Sequence, residues 1–148
     1  AANDGSDAYL LYLGDTGPDP VEGQPRLSAL WNATAGLFRA VGSDSLSRPL
    51  RALMIECSYP DGRPDSQLFG HLTPTWLTRE LQTLALAVDA RSPQTALRGL
   101  TVLVTHVKPD LHAASALNVE QQILQQLQQL DTLGVNFVRP QTGQRILV

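Results

Sequence analysis

The chain has 148 residues, with 11 basic and 14 acidic side chains and a formal net charge of -3. That length bounds it to one domain or part of one, and dispersed charge of this sign excludes binding to nucleic acid or an anionic membrane through bulk positive charge. Its single cysteine, Cys57, excludes an internal disulfide framework and suits the cytoplasm and the periplasm alike, so the compartment stays unknown. No apolar run reaches the roughly 18 residues of a membrane span, and the first residues lack the pattern of a signal peptide.

Residues 1–7 are small and polar and are expected to be a mobile N-terminal segment. Residues 8–13 are apolar and aromatic and predict a buried strand. Residues 14–25 hold three glycines and three prolines and predict a loop. From Leu27 the residues at 27, 30, 31, 34, 37, 38 and 41, all apolar except Thr34, have helix spacing. A polar break over 42–49 precedes a second strand over 50–57, and residues 59–67 form a turn-rich loop. Thr73-Pro74 has the form of an N-cap followed by proline at the first helical position, with Leu77, Leu81, Leu84 and Val88 as the buried stripe. After a Ser92-Pro93 break, residues 100–107 predict a third strand. Asn118 and Gln121 resemble a capping box, opening a helix that stops at Gly134. Its six glutamines read as a solvated face. Residues 135–138 and 145–148 predict a small hairpin or two edge strands. Strands alternating with helices make the fold class α/β.

Each of the three apolar strands runs into polar residues: Asp15 after the first, Glu56 to Ser58 at the second, and His106 at the third. In α/β sheets ligands bind outside the carboxyl ends of strands. Asp15, flanked by Gly14 and Gly17, reads as a carboxylate open to a metal or substrate, or as a turn residue capping its own loop. His71, just before a helix, reads as a proton donor in a cleft or as a loop histidine bonded to a carbonyl. His106 reads as a neutral metal ligand or a satisfied core histidine, and His112 as a surface residue. Glu56 reads as an acceptor that orients a histidine or as an exposed strand-end acid. Cys57 has no basic neighbour in sequence and is not expected to be a nucleophile.

In order, Leu11-Tyr12-Leu13-Gly14-Asp15-Thr16-Gly17-Pro18-Asp19, Ile55-Glu56-Cys57-Ser58-Tyr59, Leu68-Phe69-Gly70-His71-Leu72-Thr73-Pro74 and Leu103-Val104-Thr105-His106-Val107-Lys108-Pro109 resemble the second half of class II cyclic-nucleotide phosphodiesterases. These are hydrolases of the metallo-β-lactamase fold. The resemblance implies that residues 8–148 are the C-terminal half of an αββα sandwich. It also implies that Asp15 bridges two zinc ions, that His106 is a further zinc ligand, and that His71 contacts the phosphate or protonates the leaving oxygen. Glu56 would hold a histidine by hydrogen bond. The implied substrate is a cyclic nucleotide, cAMP or cGMP, opened to the 5′-monophosphate. The H-x-H-x-D-H motif of the family is absent from these residues. The zinc site is therefore incomplete in this chain, and the implied partner is the missing N-terminal half; a homo-oligomer is left open.

Three other readings fit some of these residues. The same ordered residues look like tRNA 3′-end processing nucleases of the same superfamily. Asp15-Thr16-Gly17 is also the signature triplet of an aspartic protease protomer, although three helical stretches oppose that nearly all-β fold. A non-catalytic binding module is the third.

Overall fold

The computed structural model describes residues 8–39, 48–109 and 119–147. Four strands, β1 (Tyr9–Leu13), β2 (Leu50–Glu56), β3 (Thr101–Thr105) and β4 (Asn136–Val138), form one sheet in the order β1-β2-β3-β4. Every neighbouring pair is parallel. Parallel neighbours need a crossover, and the right-handed rule applied to strands in sequential order stacks the connecting helices on one face. These are α1 (Asp19–Glu22), α2 (Arg26–Phe38), α3 (Pro74–Val88), α4 (Pro93–Ala96) and α5 (Val119–Leu130). The long α3 lies in the middle, with α2 and α5 both packed against it.

Residues paired across the sheet share a face. One face carries Leu11, Leu53, Val102 and Phe137 in one row and Leu13, Ile55 and Val104 in the next. These meet Trp31 and Phe38 of α2 and Leu77, Leu81 and Leu84 of α3 in the core. Each fully buried Leu, Ile, Val or Phe among them contributes about 1.5–3 kcal/mol, and the partly buried Leu11, Leu13 and Phe137 less. The opposite face carries Leu10, Tyr12, Met54, Leu103 and Val138. There Tyr12 is 63% exposed and Leu10 49%.

Two aspartates from outside the helices' own first turns tie the layer together. Asp19 accepts from the backbone N–H groups of Leu27 and Ser28 and from the Ser28 hydroxyl, capping α2. Asp61 accepts from the backbone N–H and the hydroxyl of Thr75, capping α3. Both satisfy N–H groups that a helix start leaves without partners.

Several expectations need correction. The strand over 8–13 is not buried, because β1 is an edge strand with one face uncovered. The proline-rich loop contains a helical turn, α1, with Pro20 inside its first turn. The Ser92-Pro93 break likewise opens the short α4. Thr73 stands at the N-cap of α3, but its hydroxyl makes no cap bond because Asp61 takes that place. The last helix ends at Leu130, before Gly134, whose φ of +66° belongs to the turn into β4. Asp131 accepts from Leu133 and Gly134 there and closes that turn. The C-terminal hairpin is replaced by a single parallel strand, since residues 145–147 have no strand pairing. Among the α5 glutamines, Gln126 departs from a purely solvated face: its Oε1 accepts from the Asp61 N–H. The N-terminal segment, Asn118 and His112 lie outside the described residues.

Candidate active site

Because β1, β2 and β3 are parallel, their carboxyl ends emerge at one edge, and the residues beyond them are neighbours. His106 Nδ1 stands 2.7 Å from Asp15 Oδ1. The ring of His71 lies 5.2 Å from that of His106, edge to face. Asp15, His71 and His106 each offer a donor atom, all within 4.8 Å of one another. The carboxylate of Asp15 is 70% exposed, whereas the His71 side chain is 8% exposed.

The backbone is strained at this place. The non-glycine residues with positive φ are Asp15 (+45°), Phe69 (+52°) and His106 (+56°) among the described residues. Such conformations cost on the order of 1–3 kcal/mol each and persist where surrounding structure over-determines them. Here two of the three are the residues whose side chains meet.

Glu56 is the anchor beneath them. It is fully buried, and its two oxygens take the Leu72 N–H at 2.7 Å and the Ser58 hydroxyl at 2.7 Å. The Ser58 hydroxyl also lies 2.9 Å from the His106 carbonyl. Burial pushes the Glu56 carboxyl up to about 7, against the bonds from Ser58, Leu72 and the Thr16 backbone, which favour the charged form; Asp15 adds to the rise. When protonated, Glu56 can donate to Ser58 and free its hydroxyl for the His106 carbonyl. One buried carboxyl thus pins the loops after β1 and β2 and the approach to α3. The exposed-acid reading is overturned. The expected hydrogen bond from Glu56 to a histidine is not formed either, since His71 Nδ1 is 3.6 Å from Glu56 Oε1.

His71 is governed from its other side. Lys108 Nζ lies 2.6 Å from His71 Nε2. A lysine ammonium only donates, so Nε2 accepts and the ring proton sits on Nδ1. Burial, followed by the charge of Lys108, lowers the His71 pKa and favours this neutral form. Nδ1 is buried without a hydrogen-bond partner, 3.6 Å from Glu56 Oε1 and 3.9 Å from Asp15 Oδ1. The Tyr59 ring supports His71 edge-on at 5.9 Å. Lys108 is part of the Thr105-to-Pro109 block, but its type and spacing alone signal no role. Cys57 is buried, and burial and then Glu56 raise its thiol pKa well above the ordinary value, so it is no nucleophile.

The site opens on a cavity of about 280 Å³ bordered by Asp15, Thr16, Glu22, Phe69 and His71. A larger cavity of about 780 Å³, lined by Arg39, Arg48, Asp89 and Arg98 among others, has none of these groups.

The sequence model of the family described as cAMP phosphodiesterases class-II matches residues 2–143. The chain belongs to that family. It is 36% identical over 135 residues to the probable 3′,5′-cyclic-nucleotide phosphodiesterase of Yersinia pestis, covering 91% of this chain and 36% of that protein. Against the 3′,5′-cyclic-nucleotide phosphodiesterase of Schizosaccharomyces pombe it is 37% identical over 145 residues, covering 96% and 38%. The fold is similar to the crystal structure of unliganded yeast PDE1, with a TM-score of 0.67, 25% identity, and coverage of 89% of this chain and 34% of that one. The α/β fold with its parallel sheet is therefore that of a metallo-β-lactamase-like phosphodiesterase. The chain spans little more than a third of the length of these relatives.

Proposed function

We propose that residues 8–148 are the C-terminal portion of a metal-dependent phosphodiesterase that opens 3′,5′-cyclic AMP or GMP to the 5′-nucleoside monophosphate. The observation that carries this reading is the meeting of Asp15, His71 and His106 at one sheet edge, in a chain of this family. A carboxylate and an imidazole on strained loops suit a divalent cation such as zinc, and the unpartnered Nδ1 of His71 faces the same point. Asp15 and His106 are the residues of this chain that would hold the metal. Zinc, two ions in the complete enzyme, would supply Lewis-acid stabilisation of the phosphodiester and lower the pKa of nearby water to about 7.

The other roles fall to the chain itself. His71, kept neutral with its proton on Nδ1, would donate a hydrogen bond to the phosphate, or give that proton to the leaving ribose oxygen while Lys108 Nζ passes one of its own to Nε2. Lys108 would hold the tautomer, and Glu56 would hold the loops that carry Asp15 and His71. Two ligands are too few for a dinuclear site, so the remaining ligands would come from the rest of the polypeptide. The sheet face of Leu10, Tyr12, Met54 and Val138 is the apolar surface that this part would cover. The chain alone would accordingly be inactive.

The reading is tested by zinc content and cAMP turnover of the full-length polypeptide carrying this chain. Asp15→Ala and His106→Ala should lose both, while His71→Ala should keep zinc and lose turnover. Zinc and turnover retained in Asp15→Ala would contradict the metal assignment. Hydrolysis of tRNA 3′ trailers without cyclic-nucleotide turnover would favour the nuclease alternative.

A further inference from the structure

Phe69 is 73% exposed, yet its φ is +52°. A positive φ is a genuine outlier for a bulky residue. Nothing in the packing explains why such a position carries a large aromatic side chain, since an exposed ring gains little from burial. The next residue, Gly70, also has positive φ, at +78°, so the chain turns sharply to bring Phe69 outward before His71 turns inward. The ring borders the cavity of about 280 Å³ that Asp15 and His71 also line. Two residues of chain reach at most about 7 Å, so the Phe69 backbone lies no farther than that from the His71 backbone.

We infer that Phe69 is a specificity-determining residue, the platform on which the purine base of a cyclic nucleotide stacks while its phosphodiester lies in the cavity against the Asp15 and His71 side. This rests on the phosphodiesterase reading. In a 3′,5′-cyclic nucleotide the base projects from the far side of the ribose. The wall that meets it must therefore stand on a loop beside the strand ends, where Phe69 stands. A phenyl face accepts any flat base, so it selects nucleotides from other phosphodiesters and discriminates weakly between adenine and guanine.

The test compares kcat/KM for cAMP with that for the base-free ribose 3′,5′-cyclic phosphate, in the full-length polypeptide and its variants. In Phe69→Ala the ratio of the two should fall by about 5- to 150-fold, the range that loss of one base–aromatic stack gives. Phe69→Trp should keep the ratio near that of the wild type. An unchanged ratio in an active Phe69→Ala variant overturns the inference and leaves the phosphodiesterase reading standing. A wild-type protein that opens neither substrate overturns the phosphodiesterase reading and this inference with it. The exposed ring is not part of the core, and the ratio is insensitive to how much of the variant is folded.

Discussion

Lys108 Nζ donates to His71 Nε2 across 2.6 Å, joining the loop after β3 to the loop before α3. The contact decides which nitrogen of His71 carries the proton, and so which face of the ring can give one. Replacing Lys108 with Met should remove the preference for the Nδ1–H form. Long-range 1H–15N correlation spectra of the His71 ring check this: the wild type should show the Nδ1–H tautomer, and the variant a mixture or the Nε2–H form. An unchanged tautomer would mean that Lys108 does not set it.

His71 and Asp15 should separate in their effects. His71→Ala should lower turnover by about 10²- to 10⁴-fold, the usual contribution of a positioned acid or base. Its zinc content, read by atomic emission, should match the wild type. Asp15→Ala should lose zinc in the same measurement. Equal zinc loss in both variants would make His71 a ligand.

Glu56 makes a prediction about pH. Its folded pKa of about 7 lies above the ordinary 4.5, so the native state binds the extra proton. Stability from this group is therefore greatest below pH 4.5 and falls as pH rises toward 7. Above that the charged carboxylate stays buried at a cost on the order of 3 kcal/mol. Glu56→Gln can still accept from Leu72 and donate to Ser58, and it carries no charge to bury. With chelator present, its urea stability relative to that of the wild type should rise between pH 5 and 8, because only the wild type loses the contribution of Glu56. Parallel curves would contradict the assignment.

Asp61 reaches α3 from a loop 14 residues away and takes both the N–H and the hydroxyl of Thr75. Asp61→Ala should cost about 0.5–2 kcal/mol, the range for a lost N-cap. A urea midpoint equal to that of the wild type would show that water replaces the cap without loss. The relation matters for the site because His71 lies three residues before Pro74, where α3 begins.

Much of this architecture is legible in the residues. The stripe Leu77, Leu81, Leu84 and Val88 predicts α3, and the apolar runs predict β1 to β3, because local periodicity reports which side is buried. Four ordered blocks point to the family, and three of them hold Asp15, His71 and His106. Contacts made across long separations were not legible. Asp19 and Asp61 serve helices they do not begin, and nothing in their local sequence says so. Glu56 looks like a strand-end acid until the loops fold over it and bury it completely. The edge position of β1 depends on strand order, which periodicity does not encode. Lys108 acts through His71, 37 residues away, and Phe69 takes a backbone conformation that its own side chain disfavours.

The proposed function makes this sheet edge part of a cyclic-nucleotide phosphodiesterase site. The most direct measurement is 31P NMR of cAMP incubated with the zinc-loaded full-length polypeptide, beside its Asp15→Ala variant. Conversion to 5′-AMP by the wild type and none by the variant is expected. Persistence of cAMP with the wild type, or equal conversion by Asp15→Ala, would rule out a phosphodiesterase site built on Asp15.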